Sequence, residues 1–181
     1  MTDFAAGWDS FYVIVGAAAG ALIGLQFVVM TLMASRPPSM NSAKAAAAFA
    51  TPTIVHFCAA LLLCALMRVP WPALVYPAAS WGLIGAGGFV YTALIGWRMG
   101  SQTVYRPVLE DWAFHLAAPI IAYGLLAAAA PLAFGRMTIA EFAVAAATLT
   151  LLFVGIHNAW DATAYHVFVT LGSRAARRDG E

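Results

Sequence analysis

Two segments of this sequence place a histidine and an aspartate four residues apart inside otherwise apolar stretches. In LEDWAFH, Asp111 precedes His115 by four residues, and in HNAWD, Asp161 follows His157 by four. Residues four apart lie on the same face of an α-helix. Each segment therefore predicts one imidazole and one carboxylate on a single helix face. If the two helices run antiparallel, the two pairs match in depth.

A third histidine, His56 in TPTIVHF, lies in another apolar segment, one turn after Pro52. Pro119 follows His115 by four residues and cannot donate a backbone hydrogen bond to its carbonyl. Such prolines kink helices, so both are expected to open space beside a histidine. The three histidines are expected to meet in one layer of a helical bundle.

This set of groups suits a divalent metal, zinc or iron. His56, His115 and His157 would be ligands. Asp111 or Asp161 would be a further ligand, and the other aspartate would act as a catalytic general base. A position left open for water favours a metal-dependent hydrolase or oxidoreductase, and an intramembrane site would suit a lipidic substrate.

Two other interpretations fit the same residues. The cluster could hold helices together or pass protons in a non-catalytic accessory subunit of a larger membrane complex. Alternatively, His115 and His157 could be the axial ligands of a haem b in an electron-transfer protein. Glu110 and Asp111 also follow Pro107 at a predicted helix start, where acids are favourable without any site.

Helical geometry leaves other polar residues outside this predicted site. At 100° per residue, Glu110 lies about 140° from His115, and His166 lies on the face opposite His157. Asn158 is expected to act only as a supporting donor. The sequence contains no Gly-rich phosphate loop, GxSxG elbow or CxxC motif.

The composition predicts an integral membrane protein. Of 181 residues, 63% are hydrophobic and only 9% are charged, more apolar surface than a soluble domain can bury. No Lys or Arg precedes the first apolar run, so it is predicted to be a retained span rather than a signal peptide. A net charge of +1 argues against nucleic-acid binding. Cys58 and Cys64 lie roughly 9 Å apart along one predicted helix, too far for a disulfide.

Five apolar segments, each near the length that a bilayer requires, predict an all-α bundle of five transmembrane helices in a single domain, residues 1–181. Their predicted ranges are about 10–34, 45–67, 74–97, 109–133 and 139–169. Seven basic residues fall on one side of this topology and two on the other. The excess of basic residues predicts an outside N-terminus and a cytoplasmic C-terminus, with the histidines near the cytoplasmic side.

Small residues at four-residue spacing predict close helix packing. Gly16, Gly20 and Gly24 form such a ridge in the first segment. Packing within the bundle is the simpler expectation, and a helix partner or homo-oligomer is the alternative. The lipid bilayer is the other predicted partner.

The segments GAAAGALIGLQFVVM, TPTIVHF, LEDWAFH and IHNAWDATAYH resemble a bacterial multipass membrane family of unassigned function. The resemblance covers most of the chain and implies a location in the bacterial inner membrane, but no activity. The convergence of histidines and acids is also similar to the metal chemistry of the ceramidase and adiponectin-receptor group. That group has seven spans and a serine among its ligands, and this sequence matches neither feature.

Overall fold

The computed structural model describes the backbone of residues 2–34, 40–101 and 108–165, and the side chains of residues 7–32, 51–101 and 108–164. Over these ranges the chain is helical, with no strand. There are five helices: α1 Thr2–Ala34, α2 Met40–Leu66, α3 Val75–Ser101, α4 Leu109–Leu132 and α5 Met137–Tyr165. The all-α prediction is confirmed.

Four of the helices contain segments long and apolar enough to cross a bilayer: Gly7–Leu32, Val75–Ser101, Leu109–Leu132 and Met137–Ala164. In α2 the corresponding apolar segment, Thr51–Leu66, is shorter. The helices extend beyond several predicted boundaries, since α1 begins at Thr2, α2 begins at Met40 and α3 ends at Ser101. The predicted end of the fifth span, at residue 169, lies outside the described residues.

The helices pack in the order α1, α2, α5, α4, α3, and α1 also touches α5. Arg68 at the end of α2 forms an ion pair with Asp9 near the start of α1. Glu110 at the start of α4 faces His157 near the end of α5. We call the end of the bundle that holds Glu110 and His157 the C-terminal end, and the opposite one the N-terminal end.

Glycines allow the closest helix contacts. A Cβ atom on Gly85 would lie 2.4 Å from the backbone nitrogen of Ala127, so the backbones of α3 and α4 touch there. On Gly155 a Cβ would lie 2.5 Å from the ring of Phe57, which joins α2 to α5. Gly16 packs within the bundle too, since its Cβ would lie 3.0 Å from that of Cys64. Nothing lies within 4 Å of the positions that Cβ atoms would take on Gly20 and Gly24, at the other two positions of the predicted ridge.

The outer surface of the bundle is rich in large apolar side chains. Exposed examples occur on every helix and include Ile14, Phe27, Leu62, Leu83, Trp97, Ile121, Phe153 and Trp160. Contiguous exposed apolar surface marks contact with lipid or with another protein. This surface fits a membrane protein, as the composition predicts.

Helix α4 contains a π-turn, Ala113–Ala117, just before Pro119. The Ala118 N–H donates to the carbonyl of Ala113, five residues earlier. Pro119 has no N–H to continue the α-helical pattern, so the wider turn accommodates its ring. The distortion predicted beside His115 thus takes the form of a π-turn. Residues in a π-turn rotate by less than 100° each, so Asp111 and His115 still lie on one face of α4, and the two groups interact electrostatically.

Candidate functional site

His157 and Glu110 meet at the C-terminal rim of the bundle. The Nε2 atom of His157 lies 3.5 Å from Oε1 of Glu110. The ring of Phe114 stacks on the imidazole, with centroids 3.5 Å apart and planes 16° apart. The side chain of Glu110 is 66% exposed and that of His157 is 26% exposed. Both side chains of this pair are therefore accessible at the rim.

Asp111 is buried and occupies the start of α4. Its Oδ2 atom accepts a hydrogen bond of 2.9 Å from the backbone N–H of Val108. A carboxylate in this position satisfies a backbone donor at the helix start and interacts favourably with the helix dipole. The helix-start role accounts for Asp111 without a metal, and its predicted roles as ligand or general base stay untested.

His115 lies inside the bundle, in the π-turn of α4, and is buried. It interacts electrostatically with Asp111 in its own helix and with His157 and Asp161 in α5. It also interacts electrostatically with His56 in α2. His115 is therefore the group that links the histidines of three helices.

His56 is fully buried and is hydrogen-bonded to a tyrosine. Its Nδ1 atom lies 3.1 Å from the hydroxyl of Tyr123 in α4. The Tyr123 ring lies directly against Gly88 of α3, where a Cβ atom would approach within 2.1 Å of it. The Nε2 atom of His56 has no hydrogen-bond partner among the described residues. A polar pair thus crosses the interior of the bundle between α2 and α4.

The hydrogen-bond partner of His56 lies further along α4 than His115. Tyr123, which pairs with His56, follows His115 by eight residues in α4, or about 12 Å of helical rise. Side chains lean toward the N-terminus of their helix, so the Tyr123 hydroxyl reaches back toward His115. The reach of Tyr123 back along α4 offsets part of this rise, and His56 lies close enough to His115 to interact with it electrostatically.

The remaining candidates have different surroundings. Asn158 is buried, and neither polar atom of its amide has a hydrogen-bond partner among the described residues. Asp161 is exposed. His166 lies outside the described residues.

No group of three His, Cys, Asp or Glu side chains in the described ranges is arranged to hold a metal ion. The structure therefore gives no support to the predicted metal set of His56, His115, His157, Asp111 and Asp161, nor to a haem between His115 and His157. Both stay predictions.

Sequence reasoning assigned too little weight to Glu110, because its angle was measured against His115 in the same helix. Its partner is His157 in α5, and only the packing of α4 against α5 shows this. Glu141, a buried carboxyl group near the start of α5, lies outside the site that spacing predicts. The signal that could have found it is an acid within an apolar run, TIAEFAVAAA.

No family model, curated protein or solved structure matches this chain. Any assignment of function therefore rests on the residues and their arrangement.

Proposed function

We propose that this protein is a non-catalytic integral membrane protein that transfers protons between the C-terminal rim of its bundle and the buried His56–Tyr123 pair. The observation that carries the proposal is a line of titratable groups with steadily decreasing exposure. It begins at Glu110 and His157 on the rim, continues through the buried His115, and ends at the fully buried His56.

The chemistry of these groups suits proton transfer. A neutral imidazole has one nitrogen that donates and one that accepts, so it can receive a proton on one side and release it on the other. A tyrosine hydroxyl both donates and accepts, so Tyr123 can complete the line at His56. At one end of the line, His157 and Glu110 approach to 3.5 Å, and at the other end His56 and Tyr123 approach to 3.1 Å.

The surroundings support a functional role. Ionisable groups in transmembrane segments are costly and usually mark ion or proton pathways or bind cofactors. If His56 and Tyr123 had only a structural role, both ring nitrogens of His56 would be expected to have hydrogen-bond partners. The second ring nitrogen, Nε2, has none among the described residues. Five spans with the basic residues inside would place the rim at the cytoplasmic face, in a bacterial inner membrane.

The test is a pH jump on reconstituted protein, followed by nitrogen NMR of ¹⁵N-labelled histidine. The chain has four histidines, so single substitutions assign each signal. We expect the His56 ring to exchange protons with the medium in the wild type. Replacing its neighbour, as in His115→Phe, should slow this exchange at least about tenfold, the effect of adding roughly 1.4 kcal/mol to a barrier.

Ile121→Phe is the matched control, because it puts the same side chain on the same helix at an exposed position. Thermal unfolding of each variant establishes that the bundle still forms. Unchanged His56 exchange in a folded His115→Phe protein would refute the proton line. One metal ion per chain in the purified wild type, lost in His115→Ala and in His157→Ala, would establish the metal site in its place.

A further inference from the structure

A second polar site lies near the N-terminal end of the bundle, at the contact between α1 and α5. Glu141 is one turn into α5 and only 5% exposed. The indole of Trp8 in α1 is its hydrogen-bonding neighbour. The Trp8 ring is held over α5 by Phe142, at a centroid distance of 4.9 Å and an interplanar angle of 79°.

Two buried oxygen atoms in this site have unused hydrogen-bonding capacity. Neither Oε2 of Glu141 nor the hydroxyl of Tyr12 has a hydrogen-bond partner among the described residues. Tyr12 is only 2% exposed and lies close enough to Glu141 to interact with it electrostatically. Buried polar atoms in proteins are nearly always satisfied, and exceptions usually have a functional reason.

The charges nearby do not neutralise Glu141. Arg68 of α2 is engaged by Asp9 of α1 in an ion pair at the surface. Arg136, which precedes α5, is exposed, and no ion pair joins it to Glu141 in the described part of the chain. The other titratable group beside Tyr12 is the thiol of Cys64, which supplies no positive charge. A buried carboxylate without a cation is strongly disfavoured.

We propose that Glu141 is a proton-exchanging carboxyl group, and that Glu141, Tyr12 and Trp8 form a proton-binding site near the N-terminal end of the bundle. The carboxyl group takes up one proton on Oε2, the atom without a partner, while the Trp8 indole holds the rest of the group in place. This site is separate from the histidine line, and the inference does not rest on the proposed function.

An apolar carbodiimide tests this site directly. The proton of a carboxylic acid moves to one nitrogen of dicyclohexylcarbodiimide while the carboxyl oxygen bonds to its central carbon. The adduct then rearranges to a stable N-acylurea without losing an atom. An ionised carboxylate lacks the proton that starts this reaction, so modification reports a protonated, lipid-accessible acid.

Intact protein in phospholipid vesicles would be treated with the reagent at neutral pH, digested and analysed by mass spectrometry. We expect Glu141 to be modified at least about tenfold more than Glu110, the exposed acid that serves as internal control, and modification to decline as the pH is raised. Tyr12→Phe should change the pH at which modification declines, because it removes a polar neighbour of the carboxyl group without changing the ring.

Three results would overturn the proposal. One is modification of Glu141 no greater than that of Glu110. Another is modification that does not change with pH. The third is protection by sodium chloride but not by choline chloride, which would make the site one for a metal cation instead of a proton. Because none of these measurements involves a histidine, their outcome is independent of the His56 exchange experiment.

Discussion

Glu110 and Asp111 are adjacent acids with different roles. The side chain of Glu110 points to the rim and faces His157 across the helix contact. That of Asp111 turns back onto the backbone and accepts the Val108 N–H. Two neighbouring carboxylates at a helix start can thus serve a proton line and a helix cap separately.

Substitutions at Asp111 should separate the cap from a metal ligand. Asp111→Ala leaves the Val108 N–H without its acceptor and should lower the free energy of unfolding by about 1 kcal/mol. Asp111→Asn retains an acceptor oxygen and should cost less than half as much. Thermal unfolding in detergent, with Glu110→Gln as the control expected to change stability by about 0.5 kcal/mol or less, measures both. Equal losses in the Ala and Asn variants, both relieved by added zinc, would contradict the cap.

At the scale of helices, hydropathy predicts where each helix begins and ends better than it predicts which side of the helix faces its neighbours. The fourth predicted span, 109–133, agrees closely with α4, Leu109–Leu132. The π-turn before Pro119 could not be placed from the sequence, because a proline can equally be accommodated by a kink. That turn shifts the faces of the residues that follow it, so spacing alone does not fix which neighbouring helix each of them meets.

The close approach of α3 to α4 requires a glycine at position 85 but not at position 87. Gly85→Ala would place a methyl group 2.4 Å from the Ala127 nitrogen, and a backbone atom cannot rotate away. We expect a loss of about 2 kcal/mol or more in unfolding free energy. The methyl group of Gly87→Ala would point into open space, so this variant should leave the unfolding free energy unchanged or raise it by up to about 1 kcal/mol. Similar unfolding temperatures for the two variants would mean that the helices are not packed as described.

For the whole molecule, the sequence predicts helix number and class but not which helices are neighbours. Five helices of similar length can be arranged in many orders, and each order brings different polar residues together. The structure pairs His56 of α2 with Tyr123 of α4, a residue that spacing rules do not indicate. Contacts between helices are therefore the part of the site that spacing along the chain does not supply.

Topology remains a prediction from the distribution of basic residues. A reporter fused after Glu181 should be cytoplasmic, and a tag placed before Asp3 should be accessible from outside. Both labels on the same side would mean an even number of spans, with α2, whose apolar segment is the shortest, as the first helix to re-examine. If the two termini were found on the opposite sides and the chain still had five spans, the proposed proton line would be retained but would open to the other face of the membrane.

The central position of α5 has a consequence for how the chain is made. Helix α5 follows the other four in the chain, yet α2 and α4 both pack against it. If all five helices span the bilayer, the first four enter it during synthesis before the helix against which α2 and α4 pack. Until α5 arrives, His56 and Tyr123 have no finished interior to occupy, so insertion of the fifth helix is the step that encloses the polar groups. A nascent chain that ends before Met137 would contain the first four helices but not α5, the helix against which α2 and α4 pack.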